Sequence, residues 1–182
     1  SELDYLPVTR REHERLKQIA ERAMAQLDDA HFFHTLDADE NSVAILVKHV
    51  AGNMLSRWRD FLTCDGEKPD RNRDGEFEIG EANSRDQLMN FWQAGWACLF
   101  SALDPLEDDD LGRIVKIRGE PHSVLQAISR QLSHYAYHVG QIVFLSKHLL
   151  GSDWQTLSIA KGESETFNAE PERYLQLSSD SE

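Results

Sequence analysis

The chain is poor in cysteine: it holds only Cys64 and Cys98, with no C-x-x-C spacing. That excludes a disulfide framework and leaves free thiols, the usual state in a reducing compartment. Long apolar runs are also missing. No uninterrupted stretch approaches the roughly 20 residues that span a bilayer, and Ser1-Glu2-Leu3-Asp4 offers neither a basic n-region nor an apolar h-region, so a cytoplasmic protein is expected. Cations are scarce, with 19 Lys and Arg against 32 Asp and Glu for a formal net charge of -13. Such a field repels phosphate backbones and anionic lipid, so neither nucleic acid nor membrane is an expected partner. The acidic run Glu107–Asp110 and the acidic residues between 163 and 182 read as solvated surface. Internal repeats and low-complexity tracts are absent, and strand signal is slight.

The 182 residues are 40% hydrophobic and 28% charged, enough for one domain with a proper core. The expected organisation is a single domain over 1–170 and an acidic, poorly ordered tail at 171–182. Thr9-Arg10-Arg11-Glu12 fits a capping box and predicts a first helix over 9–29, with Leu16, Ile19, Ala20, Ala23, Met24 and Leu27 on its core face. His31-Phe32-Phe33-His34 falls in the connection that follows. Asn41 or Ser42 caps a second helix running to Thr63, with His49 at the border of its apolar stripe and Asn53 one turn later. Residues 64–83 form a long polar loop of the kind that is often functional or disordered. A third helix follows from Ser84-Arg85-Asp86-Gln87 to Leu103, where mid-helix Gly95 suggests close approach to a neighbour. Residues 113–119 read as a short strand or an extended crossover, and Pro121 suits the first turn of the longest helix, which ends at Gly151. Trp154, Leu157, Ile159 and Phe167 are expected to pack back on the helices. The fold class predicted is all-α: a four-helix bundle with up-down-down-up order and a short extended crossover before the last helix.

The last helix carries His134 and His138. Residues four apart lie one above the other on a helix face, and this pair shares its sector with Ala127, Ile142, Leu145 and Leu149. The histidines therefore point inward, either as hydrogen-bonded core residues or as two ligands of one ion. A zincin helix needs Glu directly after its first His; Tyr135 stands there, so metalloprotease chemistry is not indicated. An inward-leaning His49 must also be satisfied, by Asn53 or as a third ligand. Tyr135 and Tyr137 read as core. Arg71 and Arg73 either grip a substrate carboxylate or pair with Asp70, Asp74 or Glu76.

Lys48-His49-Val50-Ala51-Gly52-Asn53-Met54, Asp65-Gly66-Glu67-Lys68-Pro69, Arg71-Asn72-Arg73-Asp74, Ile117-Arg118-Gly119-Glu120-Pro121-His122 and His134-Tyr135-Ala136-Tyr137-His138-Val139-Gly140-Gln141-Ile142 closely resemble the DUF1572 family of the DinB/YfiT-like metalloenzyme superfamily. The resemblance covers residues 5 to 170. It implies a four-helix bundle holding a divalent metal ion with three histidines, which fall here on His49, His134 and His138. Three imidazoles suit Zn, Ni or Fe. Relatives include bacillithiol-dependent S-transferases and mycothiol-dependent isomerases, so the resemblance implies a metal-dependent thiol S-transferase. Its partners would be a small-molecule thiol and an electrophilic substrate, and a homodimer is implied as well. Asn53 and Gln131, each about a turn from a ligand, and Arg73 are the expected cofactor-binding residues around the ion. The alternatives are a metal-dependent hydrolase, for which Asp60 shares a face with His49, and a non-catalytic metal-binding or dimeric interaction protein.

Overall fold

Four long helices carry the chain: α1 (Tyr5–Met24), α3 (Val43–Trp58), α4 (Arg85–Leu103) and α5 (Val124–Leu150). Two short ones, α2 (Asp29–Phe33) and α6 (Ser164–Ala169), and an antiparallel hairpin of β1 (Ile114–Ile117) and β2 (Glu120–Ser123) complete the described elements, apart from short 3-10 turns. The structure is a computed structural model that describes residues 5–169; the tail expected at 171–182 lies outside the described residues. No helix of the described residues is long and apolar enough to cross a membrane.

Helix starts follow side-chain chemistry where that chemistry is local. Ser42, Ser84 and Ser123 cap α3, α4 and α5, each accepting a hydrogen bond from the backbone N–H three residues on. Gln87 and Gln126 return the bond as capping boxes. The expected cap at Thr9 is wrong. The first helix begins at Tyr5, because Pro7 falls in its first turn, where a missing N–H costs nothing. Thr9 is buried inside it, with its carbonyl accepting from His13 Nδ1 at 2.7 Å. The second predicted helix ends at Trp58 rather than Thr63, and Asp60 beyond it has a left-handed φ of 50°. Asp60 therefore leaves the helical face it was expected to share with His49. Pro121 also corrects its expected place: it sits in β2, and α5 starts after it at Val124. The connection at 31–34 contains α2, capped by Asp28.

Packing sets where the site falls. The α3 and α4 backbones touch at Gly95, where a Cβ would lie 3.1 Å from the Ala51 Cα. On the other side of α4, Arg10 reaches Asp104 at 2.6 Å and Trp92 Nε1 donates to Glu21 at 3.1 Å. Along the α1–α5 contact, the Tyr5 hydroxyl meets Ser129 at 2.7 Å and the His13 ring lies edge-on to Tyr135 at 6.1 Å. Between α3 and α5, Trp58 Nε1 donates to the Tyr135 hydroxyl at 3.0 Å. Trp58, Trp92, Trp96, Tyr135 and Phe32 are among the largest buried side chains; burial of apolar area on this scale supplies most of the drive to fold.

The polar loop at 64–83 is tied down at both ends. Asp65 accepts the backbone N–H groups of Glu67, Arg118 and Gly119 at 2.7–2.8 Å, fastening the loop to the hairpin turn. Glu67 gathers Arg57 at 2.7 Å, Arg71 at 3.2 Å and Arg118 at 3.5 Å. A 3-10 turn at Asp74–Phe77 then packs against α3 and buries Glu76 there.

Candidate metal centre

His49 projects from the middle of α3, and His134 and His138 from the middle of α5. Their ring centroids are 4.8 Å apart for His49 and His138, 4.6 Å for His134 and His138, and 5.6 Å for His49 and His134. One nitrogen from each falls within 4.8 Å of the other two. His49 and His138 are buried and His134 is half-buried.

Hydrogen bonds engage Nδ1 of His49 and of His138, whereas His134 Nδ1 is buried without a hydrogen-bond partner. His49 Nδ1 lies 2.8 Å from Glu76 Oε2. Burial opposes ionisation of Glu76, but the bonds from His49 and Arg71 outweigh it and hold the carboxyl below its ordinary range. An ionised carboxylate can only accept, so Nδ1 carries the proton of this bond and Nε2 is the atom left to serve as a ligand. His138 Nδ1 donates to Gln141 Oε1 at 2.7 Å, which again leaves Nε2 as the basic atom. The Nε2 atoms of His134 and His138 are 3.0 Å apart, close to the separation of two imidazole nitrogens bound side by side at about 2.1 Å from one ion. Burial lowers the His138 pKa, and burial followed by the charges of His138 and His49 pushes His134 down to about 3. Burial thus favours the neutral, ligand-competent form of His134 and His138. Three buried histidines this close could hold a divalent metal ion, and the donor set fits one.

Glu76 is itself clamped. Arg71, with its side chain only 4% exposed, donates to both carboxylate oxygens at 2.8 and 2.9 Å. Gly52 makes room for this, since a Cβ there would sit 2.5 Å from Glu76 Oε1. Of the two readings of Arg71, pairing with Glu76 is the one the structure adopts. Glu76 enters the sequence reading only as a candidate partner of Arg71 or Arg73; its bond to His49 is not foreseen there, because it is 27 residues from His49 in a segment without periodicity. Gln141 was more accessible to inference: it lies three residues after His138, on the same helical face.

The remaining candidates lie further out. Gln131 Nε2 donates to Asn53 Oδ1 at 2.7 Å and to the Tyr135 hydroxyl at 3.0 Å, and Tyr135 donates to Asn53 at 3.0 Å. Asn53 and Gln131 thus bond to each other and to Tyr135, joining α3 to α5 beside the histidines. Burial raises the Tyr135 pKa, keeping the phenol neutral. Arg73 is exposed over the Phe77 ring at 5.2 Å, with a loose contact to Asp74 at 3.9 Å, and Phe77 in turn lies on His49 at 4.8 Å. Tyr137 is not core: it is 64% exposed beside His138.

The sequence profile described as "Protein of unknown function (DUF1572)" matches residues 1–163. The chain belongs to the DUF1572 family. No curated protein matches it. Within this DUF1572 chain, the matched region contains all three histidines together with Glu76, Arg71 and Gln141.

Proposed function

We propose that this DUF1572 protein is a metal-dependent S-transferase that joins a low-molecular-weight thiol to a small electrophile. In this reading His49, His134 and His138 hold one Zn, Ni or Fe ion. The observation that carries it is the convergence of three imidazole nitrogens from two helices within 4.8 Å. Bound there by three uncharged ligands, a divalent ion would retain its full charge and would favour the thiolate form of a thiol at neutral pH. The choice of thiol transfer rests on the resemblance to DinB/YfiT-like proteins, to which we assign the chain.

The chain's own groups prepare the site. Glu76, clamped by Arg71, holds His49 in the tautomer that offers Nε2, and Gln141 does the same for His138. Asn53, Gln131 and Tyr135 fix α3 against α5, so that His49 meets the other two rings. Arg73, exposed above Phe77, is suited to a carboxylate on an incoming substrate. The thiol gives its proton to solvent, its sulfur forms the bond to the electrophilic carbon, and the leaving group departs with its electron pair.

The paired contacts support an up-down-down-up four-helix bundle. Between α1 and α5 they run in step (Tyr5 with Ser129, His13 with Tyr135), whereas between α1 and α4 they run in opposition (Arg10 with Asp104, Glu21 with Trp92). Those between α3 and α5 also run in opposition (His49 with His138, Trp58 with Tyr135). A homodimer belongs to the same reading, with Tyr137 and Phe144, 64% and 71% exposed on α5, as its apolar face. Light scattering should then give twice the 20.8 kDa chain mass.

Hydrolysis by a metal-bound water is the weaker reading. Both oxygens of the nearby carboxylate, Glu76, are taken by Arg71 and His49, which leaves it poorly placed as a base. The deciding assay is conjugation of chlorodinitrobenzene with a panel of cellular thiols, with and without added metal. A metal-dependent rate with at least one thiol is expected; no such rate with any of them refutes the transferase reading.

A further inference from the structure

A cleft of about 370 Å³ lies between α3, the 68–76 segment and Phe91 of α4. None of the three histidines lines it, although Glu76, which reaches His49 with Oε2, forms part of its wall. Its charge is opposite to that of the molecule. Lys48, Arg59, Lys68 and Arg71 line it against only Asp70 and Glu76, in a chain of net charge -13.

The balance is sharper than the count. Arg59 is paired with Asp70 at 2.5 Å and Arg71 with Glu76, so both carboxylates in the wall are taken. The two lysines meet only neutral oxygens. Lys48 Nζ donates to the Glu78 carbonyl at 2.7 Å and to Asn83 Oδ1 at 3.2 Å. Lys68 Nζ donates to the Ser56 and Asp65 carbonyls at 2.9 and 2.6 Å. An ammonium carries three donors, so each has one left, and its charge has no counterion among these contacts. Lys68 is 7% exposed and burial lowers its pKa, with the charges of Asp60 and Asp65 opposing that shift, whereas Lys48 is half-buried. Leu55 and Phe91 supply apolar surface in the same cleft. A cavity of this size with convergent polar groups and an aromatic wall is the usual form of a small-molecule site.

We propose that this cleft binds a small organic anion, placing its phosphate or carboxylate on Lys48 and its apolar part against Phe91 and Leu55. The site is separate from the histidine cluster and does not depend on what that cluster does.

Calorimetric titration of the full chain with phenyl phosphate, benzoate, inorganic phosphate and benzyl alcohol tests it. Saturable binding of at least one aromatic anion is expected, tighter than inorganic phosphate, with none for the neutral alcohol. Whichever of the two aromatic anions binds tighter identifies the headgroup. Lys48→Gln should weaken the bound anion about tenfold, with helix content by circular dichroism unchanged. Phe91→Ala should weaken the aromatic anions while leaving inorganic phosphate as it was. The His134→Ala background separates this site from an anion on a metal: binding persists there if the cleft is the site. Absence of saturable binding by both aromatic anions, undiminished binding in Lys48→Gln and Phe91→Ala, equal binding of benzyl alcohol, or loss of binding in His134→Ala would each overturn the proposal.

Discussion

Glu76 shows how one side chain sets the character of the histidine cluster. Its carboxylate holds His49 in a single tautomer, and Arg71 holds the carboxylate. Supporting bonds of this kind typically control metal affinity ten- to a hundredfold. Glu76→Gln should therefore weaken metal binding by about that factor, measured by competition with a chelator, while the chain stays folded. Gly52→Ala should act in the same direction, because the added methyl would meet Oε1 at 2.5 Å and displace the carboxylate; unchanged affinity in both variants would remove Glu76 from the site. His13 gives a pH dependence. It is fully buried, and burial holds its pKa below the ordinary value of 6.5. An unfolded His13 titrates near that value, so as pH falls through it the unfolded chain takes up the proton first and the fold loses stability. Thermal midpoints of metal-free protein should drop between pH 7.5 and 5, and His13→Gln should flatten the slope by up to about 1.4 kcal/mol per pH unit. A slope insensitive to His13→Gln would contradict this.

Among the elements, α4 and the buried polar network bear directly on where the histidines stand. Gly95 lets α3 approach α4 at Ala51, two residues from His49. Gly95→Val should cost about 1–3 kcal/mol by overpacking, read as a lower urea midpoint with unchanged m-value. Tyr135→Phe would leave Trp58, Asn53 and Gln131 short of a buried partner, at a cost of about 1–3 kcal/mol. The same elements show what was readable in advance. Helices with side-chain caps and a clear apolar period, α3, α4 and α5, could be found from Ser42, Ser84 and the His134/His138 face, because those signals are local. Gly95 was legible for the same reason. The first helix was misplaced since Thr9-Arg10-Arg11-Glu12 imitates a cap that burial of Thr9 overrides. Asp60 and Pro121 were misplaced because helix ends depend on tertiary contacts more than on propensity. The Arg71–Glu76 pair was one of the readings of the loop, but its link to His49 was out of reach, as it depends on how a loop of irregular sequence folds back onto α3.

Across the molecule, the charge is acidic overall, and the three histidines come together between α3 and α5. Chelation distinguishes an ion that braces the fold from one that serves chemistry. Because Asn53, Gln131, Tyr135 and Trp58 already join α3 to α5, removing the ion should lower the melting temperature only slightly and leave helix content intact. A collapse of the fold on chelation would favour the purely structural role. The account stands most directly on elemental analysis of protein purified without added metal, wild type beside His49→Ala and His134→Ala. It predicts about one divalent ion per wild-type chain and loss of most of it in both variants. A metal-free wild type that takes up none when offered, or undiminished metal in either variant, would contradict it.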